Sequence, residues 1–390
     1  MFLIDFFATL MWVSFLTVFF FYTSYLVILY HFNKNSRLNN KTLEYIYPTI
    51  SLIVPVHNEE KIIAKKIQNI EELTYPRDKI EVTFVDGHST DRTSEIIMDE
   101  AQKSQKSVRL IKQDRREGYT RAIIEGITSS KAEIVVTTDA ASYHDPDAMR
   151  HLVKHFKDPK IGAVTGKEIV QGHKTELGPQ LEKSYRFFYD FMRKAETEMD
   201  STPDSKGEIL AVRREICDGL VKTLKLSPNA SFDSCVPYQA KLMGYRTIYD
   251  ENAQYYEYAP ASFSDRMTQQ ARRATVLIGA MLLYRGLFLK KKNGKFGLVI
   301  MPVHFIMNCV LPSIFILGLV SFAISTVLNP LGVAVLWIML VLALVGSGKS
   351  RHFIVSFIQS QFALVLALFR LARRRDSLFI ESIPSTRAQI

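Results

Sequence analysis

The chain has 390 residues, a net charge of +10 and 47% hydrophobic residues, enough for one large domain or two smaller ones. That charge suits nucleic acid, an anionic membrane surface or a phosphate-rich substrate. The apolar residues, however, are gathered into long uncharged runs, which excludes a freely soluble globular protein and points to the bilayer rather than to nucleic acid.

From Phe6 to Tyr30 no side chain is charged. A run of about 25 residues can cross a hydrocarbon core of roughly 30 Å. A cleaved signal peptide would be shorter, would start with basic residues and would end at small ones, whereas Asn33, Lys34 and Arg37 follow here. Residues 6–31 therefore read as an uncleaved N-terminal transmembrane helix.

Residues 48–262 look like an ordinary α/β sequence. Thr49–Val54 is β-rich and almost wholly apolar, as a strand buried on both faces should be. It is expected to end at Pro55. Asn58 suits a helix N-cap, and Glu59 and Glu60 suit the first turn of a helix near 59–71. Ile80–Val85 is a second strand, followed by "DGHSTDRT" and a helix from about Thr93 to Lys103. Val108–Ile111 is a third strand, leading through "QDRREGYTRAIIEGI" into a helix. Ile134–Thr138 is the fourth, ending on Asp139. This β-α-β-α-β-α-β order implies a mostly parallel sheet with helices on both faces. Ligands of such sheets bind beyond the carboxyl ends of the strands, where "PVHNEE", "DGHSTD", "DRREG" and "DAAS" would converge. Acids at the base of that crevice and arginines at its rim suit a nucleoside diphosphate held through a metal. The G-x-G-x-x-G and G-x-x-x-x-G-K-[ST] fingerprints are both missing. The three cysteines, Cys217, Cys235 and Cys309, lack metal-ligand or redox spacing and read as buried small side chains.

The series "SLIVPVHNEE", "VDGHSTDRT", "RREG", "TTDAASYHDPDA", "GAVTG", "SFDS", "MGYRTIYDENA" and "QQARR" resembles, in content and order, family-2 inverting glycosyltransferases of the GT-A fold. The resemblance covers about residues 48–312. The flanking spans are similar to the membrane-bound branch, which includes cellulose, hyaluronan, chitin and poly-N-acetylglucosamine synthases. It implies a Rossmann-like GT-A domain with transmembrane helices, a nucleotide-sugar donor and Mg²⁺ or Mn²⁺ as cofactor. By this resemblance Pro55, Val56 and Glu59 line the base pocket, and Asp86 contacts the base or ribose. Arg116 and Gly118 match the R-x-G-K element beside the phosphates, with Tyr119 where Lys would stand. Asp139 is the first carboxylate of the D-x-D motif and the expected metal ligand, but Ala141 replaces the second. Asp233 matches the catalytic base, in "SFD" where the family has T/S-E-D. Gln269 and Arg272 match Q-x-x-R-W, with Arg273 in place of Trp, and Arg272 would grip the diphosphate. "GEILAVRRE", 207–215, is similar to the strand beside the acceptor. Asp91 reads more readily as a helix cap, and the aromatic residues at 185–191 as packing.

Residues 263–292, apolar with a basic end, suit an amphipathic interface helix. Phe296–Gly348 again has no formal charge apart from His304. It breaks at Asn329-Pro330 and Gly332, so 297–346 reads as two transmembrane helices, about 297–326 and 331–346, with Pro302 and Pro312 placed to kink the first. Lys34, Arg37, Lys41, Lys290, Lys291, Lys292, Lys295, Lys349 and Arg351 all lie on the domain side of these spans. That places the catalytic domain on the cytoplasmic face of a multi-pass plasma-membrane protein. In 351–390, the run Phe353–Phe369 has basic residues at both ends and carries Ser356, Gln359 and Gln361. It reads as an interfacial or re-entrant helix, with a fourth span as the alternative.

The expected activity is transfer from a nucleotide-sugar, a UDP-sugar above all, to a lipid-linked or saccharide acceptor. The alternatives are a processive synthase that exports its polymer, and a nucleotide-sugar-binding protein impaired in turnover, suggested by Ala141 and Tyr119.

Overall fold

The computed structural model describes residues 2–34, 46–172, 176–225, 230–329, 331, 333, 334, 337, 338 and 348–373. The centre is an eight-stranded sheet. Its strands are β1 (Ile50–Val56), β2 (Ile80–Asp86), β3 (Ser107–Lys112), β4 (Ile134–Thr137), β5 (Tyr143–His144), β6 (Ile161–Gln171), β7 (Leu210–Arg213) and β8 (Arg246–Tyr258), in the spatial order β3-β2-β1-β4-β7-β6-β8-β5. The first four expected strands form a parallel set, and β6 and β8 form a second. β7 joins the sets and runs antiparallel to both β4 and β6.

β1 does not stop at Pro55. It stays in register with β2 as far as Val56, opposite Asp86, but with β4 only as far as Ile53, opposite Thr137. Above Ile53 one edge of β1 has no strand beside it, so the missing N–H of Pro55 breaks no ladder bond there. The same early end of β4 opens the crevice that Asp139 enters.

Helices cover both faces. On one, α2 (Ile63–Glu71), α3 (Thr93–Lys103) and α5 (Ala148–Val153) bury Ile63, Ile67, Ile97 and Leu152 against Leu52, Phe84 and Val136. On the other, α4 (Tyr119–Ser129), α7 (Arg214–Lys225) and α8 (Phe232–Leu242) share a core with the apolar N-terminal helix, α1 (Phe2–Lys34). The expected cap at Asn58 is absent. Asn58 has a φ of 54°, and its amide oxygen accepts from the Thr90 N–H at 2.8 Å. The chain makes a turn there, and α2 starts at Ile63.

Among the described residues, three helices are long and apolar enough to cross a membrane: Phe2–Asn33, Phe296–Leu328 and Arg351–Ala372. The second holds two π-turns, Phe296–Ile300 and Ile306–Val310, each ending two residues before a proline, Pro302 or Pro312. A wider turn accommodates a ring that would otherwise press on the preceding carbonyl. The other expected span, 331–346, lies almost wholly outside the described residues, as do Arg37, Lys41 and the tail from 374. The 353–369 run belongs to one unbroken helix, Gly348–Ala372, here α12. Its polar residues do not face a membrane interface. Ser356, Gln359 and Gln361 are buried against protein.

Ser356 and Gln359 meet α9 (Phe263–Leu283), the expected interface helix, which in turn packs on α6 (Leu177–Met199), and Gln361 donates to the Tyr22 hydroxyl of α1 at 3.5 Å. Ser262 caps α9, accepting from the Asp265 N–H at 3.0 Å. Arg266, fully buried, donates to Glu182 at 2.9 Å, to Ser356 at 2.8 Å and to Gln359. At the other end of α6, the Glu196 carboxylate accepts from Tyr25 of α1 at 2.8 Å and meets His304 at 2.6 Å. Buried ion pairs thus join the sheet domain to its apolar helices. Removing one member of a buried pair typically costs about 3–5 kcal/mol. Arg266→Met should therefore lower the thermal midpoint of the detergent-solubilised chain, with α12 the first element to become protease-sensitive. An unchanged midpoint would show that the network does not hold α12.

Candidate active site

A cavity of about 490 Å³ opens at the carboxyl ends of β1, β2 and β4. Pro55, Val56 and Glu59 form one wall. Gly87 follows β2, Arg116, Gly118 and Tyr119 lead into α4, and Asp139 and Ala140 follow β4. The far wall is built from Gly207, Glu208, Ser231, Asp233, Arg272 and Arg273. Residues spread over more than two hundred positions therefore meet in one crevice, as the parallel sheet requires.

Gly118 has a φ of 87°. That conformation suits glycine and lets the chain turn from Arg116 directly into α4. Gly207 is needed for space: a Cβ there would stand 2.6 Å from the Tyr119 hydroxyl and 3.4 Å from Asp233. The Asp139 loop is held from beneath. The Lys66 ammonium, fully buried, donates to the Thr138 hydroxyl at 3.0 Å and to the Ser142 carbonyl. Asn69 bonds both backbone groups of His144 at 2.8 Å. Burial brings Lys66 down to about 7, against the pull of Asp139.

Two expected site residues stand off the wall. Asp86 follows β2 as expected, but its carboxylate accepts from the Ser89 N–H at 3.0 Å and from the hydroxyls of Ser89 and Ser94, so it shapes its own loop. Gln269 is buried in α9 and does not line the cavity, because α9 presents Arg272 and Arg273 instead. Asp91 lies one residue before the N-cap of α3, Arg92, and accepts from the Thr93 N–H at 3.0 Å and the Glu60 N–H at 3.1 Å, so it orders the turn into that helix. Ala140 and Ala141 are both buried in the core cluster, and of the two Ala140 also borders the cavity. An aspartate at 141 would enter that core, so the lost second carboxylate is not restored by a simple exchange.

Arg272 is half-buried and has no ion-pair partner among the described residues. Burial and the neighbouring Arg273 lower its pKa. Arg273 reaches Glu208 at 3.2 Å. Glu208 was not singled out from the sequence, although it is the second residue of "GEILAVRRE". Asp233 sits in the first turn of α8 and accepts from the Ser231 hydroxyl. Burial raises its pKa; the Ser231 bond opposes this, and the Glu208 carboxylate adds to it. Among the described residues no group of three or more His, Cys, Asp or Glu is placed to hold a metal ion. Asp139 is the one carboxylate at the end of β4. The site suits a hard cation only where a diphosphate and water complete its oxygen shell.

Residues 51–220 match the family described as "Glycosyl transferase family 2". The match covers less than half of the chain. Across 288 residues, 73% of its length, the chain is 25% identical to the poly-β-1,6-N-acetyl-D-glucosamine synthase of Staphylococcus aureus (strain COL) and spans 66% of that relative's length. Among solved structures it is similar to the mannosyltransferase PcManGT from Pyrobaculum calidifontis, in complex with GDP-Man and Mn²⁺. The TM-score is 0.76 at 22% identity, over 94% of this chain and 99% of that one. The shared fold is the GT-A fold, extended by apolar helices.

The charges around Asp233 set when it can accept a proton. A base works only when ionised, so activity should fall as pH drops through the raised Asp233 pKa, above the usual aspartate value of about 3.9. Glu208→Gln removes a negative neighbour and frees Arg273, and both changes favour the carboxylate. The acid limb of kcat/KM should therefore move to lower pH. A limb that stays in place or moves up would mean that Asp233 is not the group titrating.

Proposed function

We propose that the chain is a membrane-bound inverting glycosyltransferase. It moves a sugar from a nucleoside-diphosphate sugar, a UDP-sugar in this reading, to a lipid-linked or saccharide acceptor. The observation that carries this is one cavity with Asp139, Arg116 and Arg272 on its donor side and Asp233 opposite. An acceptor hydroxyl attacks the anomeric carbon, Asp233 takes the hydroxyl proton, and the nucleoside diphosphate leaves from the opposite side, which inverts the configuration. Arg116 and Arg272 offset the charge that gathers on the leaving phosphate. Pro55, Val56 and Glu59 seat the base, and Asp86 shapes the loop beside it. Gln269 supports α9 from within. A divalent cation, Mg²⁺ or Mn²⁺, would be held by Asp139 together with the diphosphate and would supply Lewis-acid stabilisation of the leaving group. The Mn²⁺ bound with GDP-Man in the PcManGT complex supports that reading. The basic residues at the span ends support a plasma-membrane protein with its catalytic domain in the cytoplasm.

The likeness to the poly-β-1,6-N-acetyl-D-glucosamine synthase favours a second reading, in which the same step repeats on a growing polymer. Incubating purified membranes with a panel of radiolabelled UDP- and GDP-sugars separates the two by product size. A protein that only binds nucleotide-sugars would release no product with any donor.

Asp233→Asn keeps the shape but cannot accept a proton. Transfer should fall about 10²–10⁴-fold while UDP affinity is retained; near-normal turnover in the purified variant would remove Asp233 from the mechanism. For the metal, calorimetry should show weak Mn²⁺ binding to the free protein and clear binding once UDP is present. Asp139→Ala should weaken both ligands together. Unchanged, metal-dependent UDP binding in that variant would place the ion elsewhere.

A further inference from the structure

The wall of the cavity beside the ends of β2 and β3 holds a buried acceptor with nothing to accept. Gln113 follows β3 and lines the cavity together with Gly87. Its backbone N–H donates to the Asp86 carbonyl at 2.9 Å, which fixes it where β2 ends. The residue is only 8% exposed, and its side-chain amide oxygen has no hydrogen-bond partner among the described residues. We propose that Gln113 reads the nucleotide base: its amide oxygen accepts the ring N–H that uracil and guanine carry and that cytosine and adenine lack. The inference rests on the glycosyltransferase reading, in which this cavity seats a nucleoside-diphosphate sugar.

The direction of that bond is set by Glu125. A glutamine amide can turn either its oxygen or its NH2 group to a ligand, and its other partner decides which. Here the NH2 group donates to the Glu125 carboxylate of α4 at 2.9 Å. An ionised carboxylate only accepts, so the NH2 group is committed to α4 and the oxygen points away from it. The oxygen lies near Gly87: a Cβ there would stand 3.7 Å from it and 3.5 Å from the Val56 carbonyl. With no side chain on Gly87, room is left beside the oxygen for the flat edge of a base. The Asp86 carboxylate at the end of β2 is already engaged by the Ser89 N–H and by the hydroxyls of Ser89 and Ser94, so it does not compete for the same proton. A buried acceptor left empty is costly, and a ring N–H removes that cost. The bare ring nitrogen of cytosine or adenine would instead set one acceptor against another.

The test uses the full chain in phosphatidylcholine nanodiscs, titrated by calorimetry with UDP, CDP, GDP and ADP in the presence of Mn²⁺. Comparing UDP with CDP, and GDP with ADP, holds ring size constant. In the wild-type chain the tighter of UDP and GDP should exceed its partner by at least about tenfold, the scale of a hydrogen bond set against an unpaired polar group, and that pair names the base. Gln113→Leu should weaken the preferred nucleotide by about tenfold and erase the preference. Glu125 stands outside the cavity wall, and a lysine side chain only donates. Glu125→Lys should therefore turn the amide over, offer its NH2 group to the base and shift the preference toward CDP or ADP. A change in packing alone would weaken all four nucleotides alike. Equal binding within both pairs would overturn the proposal, as would a full preference kept in the Leu variant or a preference unmoved by Glu125→Lys. If nucleotides bind the wild-type chain without regard to base, only this inference fails. If none of the four binds, the glycosyltransferase reading fails with it.

Discussion

The arrangement depends on Glu182. Its carboxylate lies within reach of three guanidinium groups, Arg186 at 2.6 Å, Arg266 at 2.9 Å and Arg273 at 3.6 Å. Burial works against its ionisation, but the three arginines outweigh burial and hold it well below its usual value. Such a carboxylate cannot lose its partners without a large penalty, so α6 and α9 are held at one spacing and α9 at one rotation. That rotation decides which side chains of "QQARR" face the cavity. Arg272 enters the cavity, Arg273 crosses to Glu208, and Gln269 turns inward. The same Arg266 fastens α12, so the catalytic wall and the apolar helices are tied to one buried charge cluster.

The donor side rests on a different constraint, the unequal length of neighbouring strands. β1 continues three residues beyond its last pairing with β4, which leaves a notch at the top of the sheet. Asp139 enters that notch, and the loop behind it cannot drift because Lys66, Asn69 and His144 fill the space below. With Ala141 buried in the core, the rest of a cation's shell falls to the nucleotide, so donor and metal would bind as a unit.

Asp233 stands on the far wall of the cavity. Burial and Glu208 raise its affinity for a proton, and Arg273 moderates Glu208. The proton affinity of Asp233 is thus tuned through the same arginines that place α9, and a change in helix position alters both cavity shape and proton affinity.

The sequence by itself determined the order of strands and helices, the uncharged helices and the loops that carry Asp139, Arg116 and Asp233. These follow from local periodicity, charge-free length and short motifs, which act over a few residues. Other features came only with the tertiary structure. Asp86 spends its carboxylate on Ser89 and Ser94, and β1 runs through Pro55 because β4 ends early. Ala141 is buried in the core, and Ser356 and Gln359 meet Arg266 rather than a membrane interface. Each is set by strand register or helix rotation between distant segments; Arg266 and Glu182 are 84 residues apart. No local pattern encodes which of several nearby charges will be paired, because that depends on burial and distance once the chain has packed.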